Sequence, residues 1–201
     1  MENKFDIIYH EHVFYYSLIA LEKIFLKGGL EIYDVEIIPM QGGSLRIFAS
    51  HKKIFKIKRN VVNLRNSELK NGYNNLKTYK DINKNIKKIK QELITLFKKI
   101  KKSGKTIAAY SAPAKGNILL NYFGIGSNYL DFIVDKAKEK QGFYTPGTHL
   151  KVEPIEKIFK KKPDFLLILC WNIAPEIITQ MRQYRQKGGK FIIPIPRVKI
   201  I

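Results

Sequence analysis

The chain's fold class is predicted to be α/β, with a parallel sheet in the C-terminal half, and two observations predict it. From Lys105 onward, short apolar runs of strand length alternate with helical stretches, a rhythm that requires crossover connections and therefore parallel strands. Ahead of them, residues 1 to 51 read as a helix, a strand, a glycine turn and a second strand. That order finishes the edge of a sheet; it is not how a domain begins.

Leu18, Leu21, Ile24 and Phe25 follow helical spacing, and Lys27-Gly28-Gly29 supplies the basic last turn and glycine stop. Leu30 to Ile38 is rich in β-branched residues, Gly42-Gly43 marks a turn, and Leu45 to Ala49 is a short apolar run. Residues 52 to 80 are polar and read as a connecting segment without a clear element. Asp81 is then expected to cap a helix in which Ile82, Ile86, Ile89, Leu93, Leu96, Phe97 and Ile100 line one face, with lysines on the other and Ser103-Gly104 as the stop. A core-facing role fits this helix better than a membrane surface, since its lysine face needs no partner beyond water.

The second half is expected to hold strands at Thr106–Tyr110, Leu130–Val134, Asp164–Leu169 and Lys190–Ile195. Helices are expected from Asn117 to Phe123, near Pro154 to Phe159, and from Pro175 through Ile177, Ile178 and Met181. This is a sheet of Rossmann type. The division expected is 1–51, 52–104 as linker and amphipathic helix, and 105–201 as the Rossmann-like domain.

Composition narrows the function classes. A hydrophobic fraction of 45% over 201 residues is ample for a core. One cysteine, Cys170, rules out a disulfide framework or a cysteine-rich zinc site built from this chain. No apolar run reaches the roughly 18 residues of a membrane span, and Lys4 stands between Glu2 and Asp6 where a signal peptide needs a basic then apolar order. A cytoplasmic protein without a membrane partner is expected. The net charge of +20 points toward anions. However, only six of the 37 basic residues are arginine, and bidentate phosphate and base recognition favours Arg. Lysine accompanied by many Ile and Asn is what AT-rich coding produces. With neither a zinc-finger spacing nor an aromatic ribonucleoprotein signature, nucleic acid is a poor fit; a smaller anion such as a nucleotide sugar suits the charge as well.

Tyr9-His10-Glu11-His12 puts a phenol, a carboxylate and two imidazoles within four positions, a combination suited to proton transfer because a neighbouring carboxylate can fix a histidine's tautomer. Taken alone, two histidines beside a Glu are more often surface residues. In parallel α/β sheets ligands bind beyond the carboxyl ends of the strands. There Ala112-Pro113-Ala114-Lys115-Gly116-Asn117 follows the first strand. It is not a GxGxxG fingerprint: Pro113 lacks an amide hydrogen and one glycine is present, so a nicotinamide dinucleotide is not indicated. Lys115 can meet a pyrophosphate as a point charge and Asn117 a sugar or base edge; an ordinary strand-to-helix turn is the equal alternative. Asp135 ends the second strand about twenty residues on, the place of a ribose-binding acid and also a common place for any acid. Gln141 to His149 combines Tyr144, Thr145, Thr148 and His149 with glycines and a proline, and Trp171-Asn172 offers a ring and an amide at the same edge.

Together these residues resemble the C-terminal part of the S-adenosylmethionine-dependent sugar C-methyltransferases, which methylate carbon 3 of nucleotide-linked 4-keto deoxysugars. The matching stretches are Tyr9-His10-Glu11-His12, Gly42 to Arg46, Ser111 to Asn117, Tyr144 to His149 and Gly188 to Pro196. They run in the family's order and cover nearly the whole chain.

The resemblance implies a three-part enzyme with a zinc-binding lobe, a middle S-adenosylmethionine domain and a C-terminal Rossmann-like domain that helps hold the nucleotide sugar. This chain resembles only the last strands of the middle part and all of the third. Residues 1–51 would then be the remnant of a class I methyltransferase fold. The glycine-rich loop and acid that bind S-adenosylmethionine, and the zinc cysteines, have no counterpart, so no cofactor or metal is expected on this chain alone and it is expected to be inactive by itself. The implied roles are His12 as base, Glu11 orienting it, Tyr9 hydrogen-bonding the enolate oxygen and His10 facing away. Arg46 and Lys115 would meet the diphosphate, with Asn117, Thr148 and His149 at the nucleotide or sugar. A nucleotide diphosphate sugar is the expected ligand and a separate S-adenosylmethionine-binding chain a potential partner. The competing reading is a non-catalytic nucleotide or nucleotide-sugar module in which the Tyr-His-Glu-His cluster is a relic.

Overall fold

The computed structural model of the chain describes residues 4–39 and 43–201. Gly42, half of the expected Gly42-Gly43 turn, lies outside the described residues. Two compact units are present, one of residues 1–12 with 84–201 and one of residues 13–83.

The larger unit is an α/β domain built on six strands: β3 (Ile107–Tyr110), β4 (Phe132–Val134), β5 (Val152–Glu153), β6 (Phe165–Ile168), β7 (Lys190–Ile193) and β8 (Lys199–Ile200). They lie in the order β5-β4-β3-β6-β7-β8. All neighbours run parallel except β8, which pairs antiparallel with β7. Every residue of β3, β4 and β6 is buried, which is why these strands read as unbroken apolar runs and show no alternation. On one face Ala108, Tyr110, Val134, Leu166, Ile168 and Phe191 pack with Ile158 of α5 (Glu156–Lys161), Ile177 of α6 (Ala174–Gln180) and Tyr184 of α7 (Arg182–Gln186). Each fully buried Leu, Ile or Phe side chain contributes about 1.5–3 kcal/mol.

The helix α3 spans Leu76–Lys102, five residues earlier than the expected start at Asp81. Its residues Ile86, Ile89, Leu93, Phe97 and Ile100 are buried on the expected face. The earlier start is set by Asn75, whose side-chain oxygen accepts from the Lys77 amide at 2.9 Å. Leu76 and Tyr79 in the first turn are exposed, so the apolar stripe gives no sign of that turn. At the amino-terminal edge of the sheet, Asp131 accepts from the Ile107 amide at 2.8 Å and Asp164 from the Thr106 amide at 2.9 Å.

The smaller unit holds α1 (Leu18–Lys27), the antiparallel hairpin of β1 (Leu30–Ile38) and β2 (Ser44–His51), and α2 (Arg59–Lys70). The helix α2 lies in the stretch read from sequence as connector. Only Val61 and Leu64 of its apolar residues reach the core, beside Leu18, Ile32, Val35, Phe25 and Ile47, too few for a visible stripe. Its acid Glu68 does the rest: its two oxygens accept from the Leu18 and Ile19 amides at 2.8 and 2.9 Å, satisfying free N–H groups at the start of α1. Ser17 accepts from Ala20 as the N-cap.

Candidate functional site

In the order β5-β4-β3-β6-β7-β8 the chain moves outward from β3 through β4 to β5, then returns to the other side of β3 for β6. The loops after β3 and β6 therefore part company, and a crevice opens beyond their carboxyl ends. Into it project the residues after β3, the first turn of α4 (Ala114–Phe123), and the 3-10 turn Trp171–Ile173 after β6.

The turn after β3 is held by one acid. Asp135 accepts from the Ala112 amide at 2.7 Å, the Ala137 amide at 2.9 Å and the Ser111 hydroxyl at 3.1 Å, with Lys140 at 3.5 Å. Burial disfavours its charge, but the two amides, Lys140 and Ser111 outweigh that and hold its carboxyl below the ordinary value. With its oxygens occupied by the loop, Asp135 serves as a structural clamp, and the ribose-binding reading of it is set aside. The clamp supports Ser111 at a φ of +71°, a left-handed conformation that a side chain adopts at a cost. Helix α4 begins at Ala114, three residues before the expected Asn117, because Pro113 fixes the backbone for the turn. A Cβ on Gly116 would stand 2.9 Å from Leu169 Cβ. The one glycine of this turn thus lets the helix approach the end of β6.

Lys115 crosses the crevice. Its ammonium lies 4.6 Å from the centre of the Trp171 ring and donates to the Asn172 side-chain oxygen. Burial pushes its pKa down, with Asp6 acting in the opposite sense. Asp6 is fully buried and accepts from the Trp171 indole N–H at 2.6 Å, while its other oxygen meets no partner. Burial raises the Asp6 carboxyl, and the indole hydrogen bond and the Lys115 charge only partly offset it. At the end of β3 the Tyr110 hydroxyl is buried without a partner, and burial, with the Cys170 and Asp135 groups adding to it, pushes its pKa up to about 12.

Asp6 sits in the 3-10 turn Phe5–Ile7, whose Phe5 ring packs 5.1 Å from Phe123 and 5.5 Å from Tyr122 of α4. Three residues on comes the Tyr-His-Glu-His cluster. A turn closed by the His12 amide on the Tyr9 carbonyl at 2.9 Å exposes His10 and Glu11 and brings the Tyr9 and His12 rings to 4.4 Å. His12 Nδ1 lies 2.7 Å from the Ile7 carbonyl. A carbonyl only accepts, so Nδ1 carries the proton of the neutral ring and Nε2 is the basic nitrogen.

On the other flank of α4 a cleft of about 250 Å³ is lined by Ala112, Asn117, Lys140, Phe143, Tyr144 and Thr145. Phe143 and Tyr144 are exposed aromatic rings, and the Asn117 side-chain oxygen is buried without a partner. Thr148 is turned to the loop: its hydroxyl pairs with that of Thr145 at 2.7 Å, and Thr145 in turn accepts from the Leu150 amide. His149 is exposed at a φ of +50°. Gly147, at a φ of +76°, is required because a Cβ would strike the Asn121 side chain that binds the Pro146 carbonyl.

The structure thus gathers Asp6, Lys115 and Trp171-Asn172 at one crevice, sets Tyr9 and His12 against each other in the segment that follows Asp6, and places Asn117 beside the neighbouring cleft. Arg46 belongs to the smaller unit, where it pairs with Glu36 across the hairpin at 3.3 Å. Asp6, Tyr110 and Lys140 carry no motif of their own and are not found from sequence; the only signal was the position of Phe5-Asp6 just ahead of the histidine cluster. Among the described residues no group of three or more His, Cys, Asp or Glu is placed to hold a metal ion, and no helix is long and apolar enough to cross a membrane.

A parallel sheet of this order, with polar groups converging at its switch point, defines an α/β domain of the Rossmann-like class. The family follows from comparison: a family model described as the C-methyltransferase C-terminal domain matches residues 39–196, and the chain belongs to that family. It is similar to the C-methyltransferase NovU of Streptomyces niveus, 34% identical over 200 residues that make up 99% of this chain and 48% of that protein. The chain therefore spans about half the length of that relative.

Proposed function

We propose that this chain is the sugar-binding and proton-abstracting portion of a C-methyltransferase acting on nucleotide-linked 4-keto deoxysugars, with S-adenosylmethionine held by another part of the enzyme or by a separate chain. The single observation that carries the reading is the His12 ring, whose Nδ1–H is committed to the Ile7 carbonyl. Nε2 then accepts the proton next to the sugar ketone. Tyr9, whose ring lies tilted against His12, donates to the enolate oxygen as charge develops there. The exposed Glu11 tunes the site from the turn. Lys115 receives the diphosphate, and Asn117, with the Phe143 and Tyr144 rings, faces the nucleotide. His149 and Thr148 border the same loop.

Placing S-adenosylmethionine elsewhere is supported by the turn after β3, which contains Pro113 and is not a glycine-rich loop, and by Asp135 at the end of β4, whose carboxylate is bonded by Ala112, Ala137 and Ser111.

The test begins with calorimetric titration of the chain with a thymidine diphosphate 4-keto sugar. Absence of binding at millimolar ligand, together with salt-sensitive binding to duplex DNA, would overturn the reading. The chain is then mixed with a candidate cofactor domain in heavy water and deuterium uptake beside the ketone is followed. His12→Ala is expected to slow uptake by about 10²–10⁴-fold; an unchanged rate removes His12 from the role of base. Binding without any exchange would favour a non-catalytic nucleotide-sugar module.

A further inference from the structure

We infer that Asp6 and Trp171 are positioning residues for His12, forming a buried latch that fixes the proton-accepting segment to the crevice and joins it to Lys115. The inference rests on the proposed role of His12 and goes beyond it to residues that neither the motif nor the family description marks.

Residues 4–12 make no strand and only one short turn of 3-10 helix. Such a segment, with no ladder or long helix of its own to hold it, is ordered only where its side chains tie it down. The ties are two. The Phe5 ring packs on Phe123 and Tyr122 of α4, which fixes depth but not direction, since apolar contacts are non-directional. Direction comes from the 2.6 Å bond of the Trp171 indole N–H to Asp6, which spans 165 positions of sequence. Trp171 has one donor and no acceptor, so the bond specifies a single arrangement. Because the acceptor is a carboxylate, it is of the stronger, charge-assisted kind.

From this bond a continuous path runs both ways. Toward the base, Asp6 is adjacent to Ile7, whose carbonyl holds His12 Nδ1 at 2.7 Å; the turn that presents Asp6 to Trp171 is the turn that orients the imidazole. Toward the diphosphate contact, the Trp171 ring lies under the Lys115 ammonium at 4.6 Å, and the next residue, Asn172, accepts from it. Buried polar atoms left over in a native structure call for an explanation, and the second Asp6 oxygen is one of them. An apolar residue at this position would avoid that cost if Phe5 packing alone sufficed to hold the segment. A carboxylate that accepts one strong bond at the expense of one unmet oxygen is the choice of a site that needs orientation more than stability.

The experiment uses the whole chain. It contains four histidines, His10, His12, His51 and His149, so ring proton and nitrogen resonances are few enough to assign by substitution. Trp171→Phe keeps the ring and removes the donor; Asp6→Ala removes the acceptor; Asp6→Asn keeps an oxygen to accept the indole N–H. In Trp171→Phe and Asp6→Ala the His12 signals are expected to shift and lose the signature of a protonated Nδ1, while those of His149 stay in place. Asp6→Asn is expected to bring the His12 signals back toward their wild-type positions. In the deuterium-uptake assay the first two variants are expected to lose on the order of a hundredfold in kcat with little change in KM, the mark of a displaced catalytic group. His12 signals that coincide with wild type in folded Trp171→Phe and Asp6→Ala proteins overturn the latch. A wild-type chain that shows no uptake overturns the base role of His12 instead, and the resonance comparison still decides the latch.

Discussion

In the smaller unit Glu68 gives both oxygens to amides of α1, Asp34 binds Lys58, Asn60 and the Val35 amide, and Glu22 takes Arg65 through a two-pronged contact of 2.5–3.1 Å. At the carboxyl edge of the six-stranded sheet, Asp6, Tyr110 and Asn117 each bury a polar atom that meets no partner, and among the described residues these three are the only such side-chain atoms. An unmet buried group costs about 1–3 kcal/mol. The hairpin and its helices therefore commit these polar groups to holding shape, while the sheet edge keeps some uncommitted. Asp135 shows that the edge is not carelessly built, since its oxygens are as fully engaged as those of Glu68.

The contrast is broken or sharpened by five substitutions. Glu68→Ala strips two amides of a charged acceptor and is expected to cost about 3 kcal/mol in urea denaturation; a loss below about 1 kcal/mol would mean that these bonds are not what holds α1. Gly116→Ala is expected to cost about 2 kcal/mol by overpacking against Leu169 and Pro113, read as a lowered midpoint with unchanged slope. Asp135→Asn should cost about 1–2 kcal/mol at neutral pH. Because the folded carboxyl titrates below its unfolded value, its contribution is present above the ordinary aspartate range and is lost as pH falls through the folded pKa, so the deficit of Asp135→Asn shrinks in acid. Asp6 has the opposite sign: raised by burial, it removes stability as pH rises from the ordinary range through its folded pKa. Melting curves of Asp6→Asn from about pH 3 to about pH 7 should lack that decline. Tyr110→Phe, the smallest effect, removes an unmet hydroxyl and is expected to be neutral or stabilising by up to about 1 kcal/mol; a clear destabilisation would show that the hydroxyl has a partner after all.

The parallel α/β arrangement was legible because its strands are buried on both faces and so appear as runs such as Ile107–Tyr110 and Phe165–Ile168, separated by helix signals. The strands β5 and β8, two residues each, are too short to leave a period. Helix α2 escaped because few of its apolar residues face the core, and the first turns of α3 because Leu76 and Tyr79 face water. The Tyr9 to His12 cluster and Lys115 stand out in the sequence because few residue types titrate or carry charge. The link from Asp6 to Trp171 does not, because that bond joins residues that neither spacing nor local propensity relates. Asp135 misled for the converse reason, because a strand-ending acid that clamps its own loop and one that awaits a ribose look alike until the amides around it are in place.

Trp171 is the single tryptophan of the chain, with a carboxylate on its indole nitrogen and an ammonium beside its ring. All indole emission from this protein therefore originates at the switch point of the sheet, between two opposite charges whose fields set its colour. A ligand group that draws Lys115 away, or a movement that parts Asp6 from the ring, is written directly into the spectrum, so the molecule comes with an optical gauge of its own crevice that needs no label.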